Sequence, residues 1–481
     1  MYANLTAFTA ASAIVGIAGL ALAQSLPDQI VIEHTDRQVE QIRREIQAEV
    51  ADNSAPKSAR FDFGVYLTLS YLSVDDAVDR NHGLREYDLV GYAGVNVDLG
   101  QNVYVRGRTF YSDYNPGDFD NRSDNLQGRV EEAYYRFDLQ KYWSADHHIE
   151  SKSNATFTIG RQDTQWANGL VLWQYLDAAR ADFSYGPFDL TLLGGVTTSW
   201  TVDFDSLRPN FDNDTRRGFY GAMLGAHVGK HHPYIYALFQ QDYNSDDPLT
   251  IGFIRTEHSY NSYYLGGGMN GELSDKWQYK SEMVFEGGSS LSRGVEFDPF
   301  LMPVQQQENS IQAGAADLQL DYLLHDSHKT CLSAEAIFAT GDPDRLTSSN
   351  TLLGNKPGTH DMAFNAWGYV NTGLAFSPEV SNLMVLRLGA TTYPLPDSRW
   401  FGKLQFEPSI FVLGKLRSDA PIDEFTGDDH YLGIEPDLAV NWPIRENLFF
   451  TGRYGVFIPG GAATESSGSR QFVYLAVTYA F

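Results

Sequence analysis

Residues 470–481 read RQFVYLAVTYAF. Successive side chains of an extended chain point to opposite faces, so Val473, Leu475, Val477, Tyr479 and Phe481 share one face, and Phe472, Tyr474, Ala476, Thr478 and Ala480 share the other. Domain termini are usually frayed and polar, whereas this strand is fully formed up to its last residue. The partner it calls for is the first strand. A sheet closed on itself has no edge, and in hydrocarbon an open edge leaves each unpaired backbone group worse off by several kcal/mol.

The same period of two runs back through the chain. In RFDFGVYLTLSYL (60–72), Phe61, Phe63, Val65, Leu67, Leu69 and Tyr71 lie opposite Asp62, Gly64, Tyr66, Thr68 and Ser70. Counting such segments predicts about eighteen strands, most of them roughly ten residues or longer, the length a tilted strand needs to cross a bilayer. Short turns at 186–188, 229–233, 273–276 and 443–447 alternate with long polar loops near 112–126, 201–216, 244–258, 288–309, 341–380 and 416–429. Short periplasmic turns and long outer loops are the pattern of bacterial outer-membrane barrels. Residues 141–152 (KYWSADHHIESK) depart from it as a long periplasmic connection. The strand-like 367–377 (WGYVNTGLAFS) is assigned to an outer loop, because counting it would make the strand number odd. The expectation is an all-β, transmembrane antiparallel β-barrel over residues 60–481 in the outer membrane of a Gram-negative bacterium, surrounded by lipid.

Composition agrees with one unit, since 43 Gly, 28 Tyr and 29 Phe are spread through 481 residues without a visible boundary. The balance of 35 Lys+Arg against 61 Asp+Glu, a net charge of -26, excludes nucleic acid as partner. A single cysteine, Cys331, excludes a disulfide framework and a thiolate metal cluster. Residues 6–23 (TAFTAASAIVGIAGLALA) end in Ala21-Leu22-Ala23, so residues 1–23 are expected to be a signal peptide cleaved before Gln24, with a retained anchor helix as the competing reading. In residues 24–59, Val39, Ile42, Ile46 and Val50 recur at helical spacing, predicting a helix over 28–52 followed by a linker at 53–59. This helix is placed outside the barrel, in the periplasm or at the barrel mouth, where it could join copies into a homo-oligomer.

If the apolar residues face lipid, their alternates face the lumen: Arg106, Arg108, Arg136, Arg180, Arg387 and Arg453, with Glu132, Glu435, Asp437 and further carboxylates such as Asp317, Glu335 and Glu407. An arginine on the lipid face near the midplane costs roughly 2–4 kcal/mol, which favours the lumen. Arg161 shares parity with Phe157 and Ile159, and is expected at the rim or after a bulge. Such a lumen either cross-braces the wall or selects anions at an arginine constriction. No metal site or cofactor is expected. The adjacent pairs His147-His148 and His231-His232 would point to opposite faces. Gly266, Gly268 and Gly271 match a dinucleotide fingerprint only as letters, inside a strand.

Three stretches carry a family resemblance. Gly160-Arg161-Gln162, Gly433-Ile434-Glu435-Pro436-Asp437 and Phe457-Ile458-Pro459-Gly460 resemble motifs of the alginate-export family of outer-membrane porins. The resemblance covers residues 60–481. It implies an eighteen-stranded barrel without catalytic residues, passing or exporting polar, anionic solute or polysaccharide through an arginine-bearing lumen. The terminal Phe481 and the alternation before it resemble the signal read by bacterial barrel-assembly machinery. The competing readings are a barrel enzyme, with His82, His258, His360 and His430 as candidates near the outer loops, and a plugged structural or surface protein.

Overall fold

The computed structural model describes residues 37–46, 61–75, 81–97, 100–116, 124–147, 152–208, 211, 214–251, 254–294, 304–463 and 468–481. The expected signal peptide, the linker and both ends of the 28–52 helix lie outside the described residues. The helix α1 occupies 37–46. Then follow β1 (Phe61–Asp75), β2 (Asn81–Val97), β3 (Gln101–Tyr114), β4 (Asn125–Asp138), α2 (Leu139–His147), β5 (Ser153–Trp166), β6 (Leu172–Tyr185), β7 (Phe188–Thr197), β8 (Arg217–Ala226) and β9 (His231–Asp242). After a small outer hairpin, β10 (Leu249–Ile251) and β11 (Ile254–Thr256), come β12 (Tyr260–Ser274), β13 (Trp277–Leu291), β14 (Glu308–Leu323), β15 (Cys331–Ala339) and β16 (Leu383–Thr391). The last are β17 (Gln405–Lys415), β18 (Tyr431–Arg445), β19 (Leu448–Pro459) and β20 (Arg470–Ala480).

All strands except β10 and β11 form one antiparallel sheet of 18. It closes because β1 pairs with β2 along one edge and with β20 along the other, Leu69 standing opposite both Tyr87 and Val477. The eighteen segments read from the period of two are these strands. The strand-like 367–377 joins the sheet nowhere except at an isolated bridge from Trp367 to Leu172, and the first part of the long periplasmic connection, up to His147, belongs to α2. The outer wall carries the exposed apolar residues: Phe61, Phe63, Leu67 and Leu69 on β1, and Leu475, Val477 and Tyr479 on β20. The opposite face of β20 is also apolar, with Phe472, Tyr474, Ala476 and Ala480 buried.

That second apolar face exists because the interior is filled. One filling element is the upper half of the β5–β6 hairpin. β4 pairs with β5 only from Asp138↔Thr156 to Ala133↔Arg161, and beyond that point the hairpin bends inward. The bend is at Gly160, whose φ is 122° and where a Cβ would lie 2.2 Å from the Ala133 carbonyl oxygen. The hairpin tip is buried at Leu170, Val171 and Leu172, and the Asn168 amide donates to Glu282 of β13 (3.0 Å). The other filling element is the loop 340–382. Its Trp367 amide donates to the Val171 carbonyl (2.9 Å), its Asn365 amide to Glu286 (2.9 Å), and its Phe376 ring stacks on Phe457 of β19 at 4.1 Å.

Val at position 160 would have to adopt a backbone conformation that costs on the order of 1–3 kcal/mol, besides the clash. In a Cys331→Ser background, Val171→Cys is expected to resist maleimide, and adding Gly160→Val is expected to make it reactive. Unchanged protection in the double variant contradicts the hinge role of Gly160.

Candidate functional site

The helix α1 lies inside the barrel. Ile42 and Ile46, one turn apart, are 3% and 6% exposed and pack with Tyr66, Val90, Phe449, Tyr474 and Ala476 of the inner wall. The polar face of the helix meets charge. Arg43 contacts Glu86 (2.9 Å) and Asp88 (3.5 Å), Arg44 contacts Asp163 (3.1 Å), Glu40 receives Arg129 (3.0 Å), and Glu45 receives Arg453 (3.0 Å). The Gln38 amide donates to the Leu374 carbonyl of the inward loop. The placement outside the barrel is therefore corrected: residues 37–46 are a lumen element, and the apolar stripe that could have joined copies is used within the chain. An amphipathic stripe reads the same whichever wall it will meet. The signal that could have located it is the two-sided apolar character of β20.

Around α1 the wall is a lattice of guanidinium and carboxylate. The Arg108 side chain, 0% exposed, donates to Asp88 (2.7 Å) and Glu86 (2.9 Å). Arg106 contacts Glu131 (3.1 Å) and Glu132 (3.0 Å) and donates to the Tyr175 hydroxyl (2.8 Å). Both glutamates face inward because β4 is bulged there, Arg106 standing opposite Glu132 while Gly107 stands opposite Val130. Strict alternation hides Glu131. The step from outward Val130 to the next outward residue, Ala133, is three rather than two, and marks the bulge in the sequence. Burial alone would push the Glu40 carboxyl up, but the guanidiniums of Arg129, Arg43, Arg44 and Arg108 outweigh it and hold Glu40 well below its ordinary value.

Cavities flank the helix on both sides. One of about 200 Å³ opens towards the outer loops, lined by Arg37, Arg43, Arg44, Arg108 and Arg129 with Glu40 and Glu86, and walled by Phe110, Tyr175, Trp200 and Tyr369. On the periplasmic side a cavity of about 240 Å³ reaches Asp321, Arg387, Glu407, Asp437 and Arg453. It shares Glu45, Glu407 and Arg453 with a vestibule of about 770 Å³ that also holds Lys329 and Lys403.

The residues expected in the lumen divide into groups. Arg106, Arg108 and Glu132 surround α1, while Arg387, paired with Glu335 (2.8 Å), Arg453 and Asp437 line the periplasmic cavity. Glu435 anchors the inward loop, accepting from the backbone amides of Leu374 and Ala375 (2.5 Å each) and Phe376 (3.0 Å). Arg161 follows the Gly160 bend, forks onto Asp177 (2.7 and 2.8 Å) and lies 4.6 Å over Trp200. Arg136 is exposed near the periplasmic end of β4, and Arg180 pairs with Asp182 (3.0 Å) in the periplasmic half of β6. Residues missed by the reading of the strands are Arg43, Arg44, Glu40, Arg129 and Glu131.

Of the candidate histidines, His258, His360 and His430 do not assemble a triad among the described residues. His258 is buried beside Asp205 and Arg217, where burial and Arg217 push its imidazole down to about 4. His430 Nδ1 meets the Lys415 carbonyl (3.0 Å). His360 Nδ1 does approach Ser310 Oγ (2.6 Å), but it also receives Gln312 (3.2 Å), and no carboxylate orients the ring.

The sequence matches the alginate export family over residues 70–473. The chain belongs to that family. As an alginate export family member it is a channel for solute in the bacterial outer membrane, and its family consists of export channels rather than enzymes. No curated sequence matches the chain. Among solved structures it is similar in fold to Pseudomonas aeruginosa OccK11 (OpdR), with a TM-score of 0.52 at 10% identity over 88% of this chain and 96% of that one. It is similarly related to OccK8 (OprE) of the same organism, with a TM-score of 0.51 at 13% identity over 88% of this chain and 98% of that one.

Replacing Glu40 by Gln removes the carboxylate shared by Arg43, Arg44 and Arg129 while each keeps another acidic partner, and is expected to weaken docking of α1 by roughly 1–3 kcal/mol, read as more frequent large-conductance openings in planar bilayers. A carboxyl held low contributes fully above its ordinary value of 4.5, and the contribution is lost only as pH falls through the lower docked value. Parent and Glu40→Gln should therefore differ equally at about pH 7 and about pH 5. Convergence of the two records by about pH 5 contradicts the assignment.

Proposed function

We propose that this channel passes polar, anionic solute of the acidic-saccharide class to which the family description points, and that α1 supplies part of the selectivity. The observation carrying this reading is the outer cavity, where five arginines face two carboxylates. A guanidinium receives a carboxylate in a bidentate fork, and the aromatic walls offer flat surfaces for the apolar faces of a ring. The wall around α1 has the other sign, since Arg106, Arg108 and Arg129 are outnumbered by Glu86, Asp88, Glu131, Glu132 and Asp163. A polyuronate would be repelled by such a wall. The helix arginines Arg37, Arg43 and Arg44 offset much of that excess around the outer cavity. In this reading Arg106, Arg108, Arg387, Arg453, Glu132 and Asp437 border the path, and Phe481, exposed after β20, is read by the barrel-assembly machinery.

The reversal potential under a potassium chloride gradient tests this. The full chain is expected to prefer chloride, and Arg43→Gln with Arg44→Gln is expected to shift the permeability ratio several-fold towards potassium. A full chain that prefers potassium, or a double variant with unchanged selectivity, contradicts the proposal. Absence of any conductance favours the plugged structural reading instead.

A further inference from the structure

We propose a divalent transition-metal site formed by Asp189, His227 and His232 on the lumen face at the periplasmic end of β7, β8 and β9. Phe188, Leu192, Leu224 and Ile235 are exposed on the outer wall, so their alternates Asp189, Gly225 and His232 face inward. The β8–β9 turn brings the histidines together. Val228 and His231 exchange both backbone hydrogen bonds (2.8 and 3.1 Å) around Gly229, whose φ is 63°. The next directly opposed pair is His227 and His232, whose rings stack at 4.4 Å and 27°. The His227 amide also donates to the Pro187 carbonyl (2.6 Å), which ties this pair to the β6–β7 turn.

Asp189 lies on the neighbouring strand, opposite Gly225. Its Oδ1 is 2.9 Å from His232 Nε2 and 3.6 Å from His227 Nε2, and the three ligand atoms all lie within 4.8 Å of one another. Bonds of about 2.0–2.1 Å in a tetrahedral zinc site separate ligands by about 3.3 Å, a value that the two measured separations straddle. Gly225 leaves the space free. A Cβ there would lie 2.3 Å from Asp189 Oδ2 and 2.6 Å from His232 Nε2, where the ligand atoms converge. One hydrogen bond to Asp189 accounts for His232 alone. It does not account for a second imidazole with its Nε2 turned to the same oxygen, and the largely exposed His227 ring is free to rotate out of the stack so that both ring planes contain one ion. Lys230 does not compete, since its ammonium is held by Glu272 (2.9 Å) and Asp275 (3.0 Å).

Imidazole with carboxylate suits zinc, copper, iron or nickel rather than calcium or magnesium. Three protein ligands leave the remaining positions to water or a solute oxygen. Adjacency in sequence misleads here: His231 turns the other way, to the Tyr279 hydroxyl (2.9 Å), and the chelating partner of His232 is across the hairpin.

The test is zinc titration by calorimetry of the full-length, tag-free protein folded in detergent, with cobalt absorption as a second readout and heat-modifiable gel mobility to verify closed barrels. The expected result is one zinc per chain with micromolar or tighter affinity and tetrahedral cobalt bands. Binding should weaken by roughly tenfold or more in His227→Ala, His232→Ala and Asp189→Asn. Absence of zinc binding, or equal binding by all three variants, overturns the proposal. Binding that survives Asp189→Asn but not the histidine variants overturns the carboxylate's place in it.

Discussion

A barrel of eighteen strands encloses more space than its own wall side chains fill, and whatever occupies that space must satisfy polar groups on every side. Here the occupants are α1, the inward half of the β5–β6 hairpin and the loop 340–382. The helix is held by guanidinium set against carboxylate as well as by Ile42 and Ile46, and the hairpin and loop by apolar packing and by buried carboxylates that accept their backbone amides. The wall around them is itself braced by guanidinium and carboxylate. Arg108 on Glu86, Asp88 and Glu131, and Arg217 on Asp203 (3.0 Å) and Asp242 (3.2 Å), are fully buried cations with two or three acidic partners each. Removing one partner of such a buried set is strongly destabilising, whereas the assembled set adds little net stability. The lattice therefore fixes which arrangement forms more than how stable it is. The interior becomes a set of defined cavities instead of an open pore.

The three motifs that carry the family resemblance are the points at which the interior elements are fastened. Gly160-Arg161-Gln162 is the bend that sends the β5–β6 hairpin inward. Glu435 of the Gly433–Asp437 stretch holds three consecutive backbone amides of the inward loop. Phe457 gives Phe376 of that loop a parallel ring at 4.1 Å. A motif that fixes where a loop folds is indifferent to what the channel carries, so these stretches identify the barrel type and leave the cargo to the residues lining the cavities.

The wall was legible in the sequence because lipid on one side and the interior on the other impose a period of two. That alternation yields the strand number and the closure of β20 on β1. It fails wherever the backbone leaves the ladder. The bulge at Glu131 and Glu132 moves a buried carboxylate out of phase, and beyond Gly160 both faces of the hairpin are interior, so Arg161 obeys neither face rule. Parity also says only which way a side chain points. It assigns Glu435 to the lumen without revealing that the carboxylate holds loop backbone instead of bordering a path. The position of α1 was the least legible feature, since its partners Glu86, Asp163 and Arg453 come from strands far apart in the chain.

The central claim is that α1 resides within the barrel, its arginines and glutamates matched to the wall. The most direct test is cross-linking of Glu45→Cys to Arg453→Cys, whose native side chains meet at 3.0 Å, by a bifunctional thiosulfonate long enough to replace the reach of those two side chains, in a Cys331→Ser background in native outer membranes. The account predicts that the bifunctional reagent cross-links the pair nearly completely in folded barrels. If no cross-link forms and the cysteine at 45 reacts with a bulky thiol reagent as readily as one in an open periplasmic turn, α1 is not held in the lumen, and the account is contradicted.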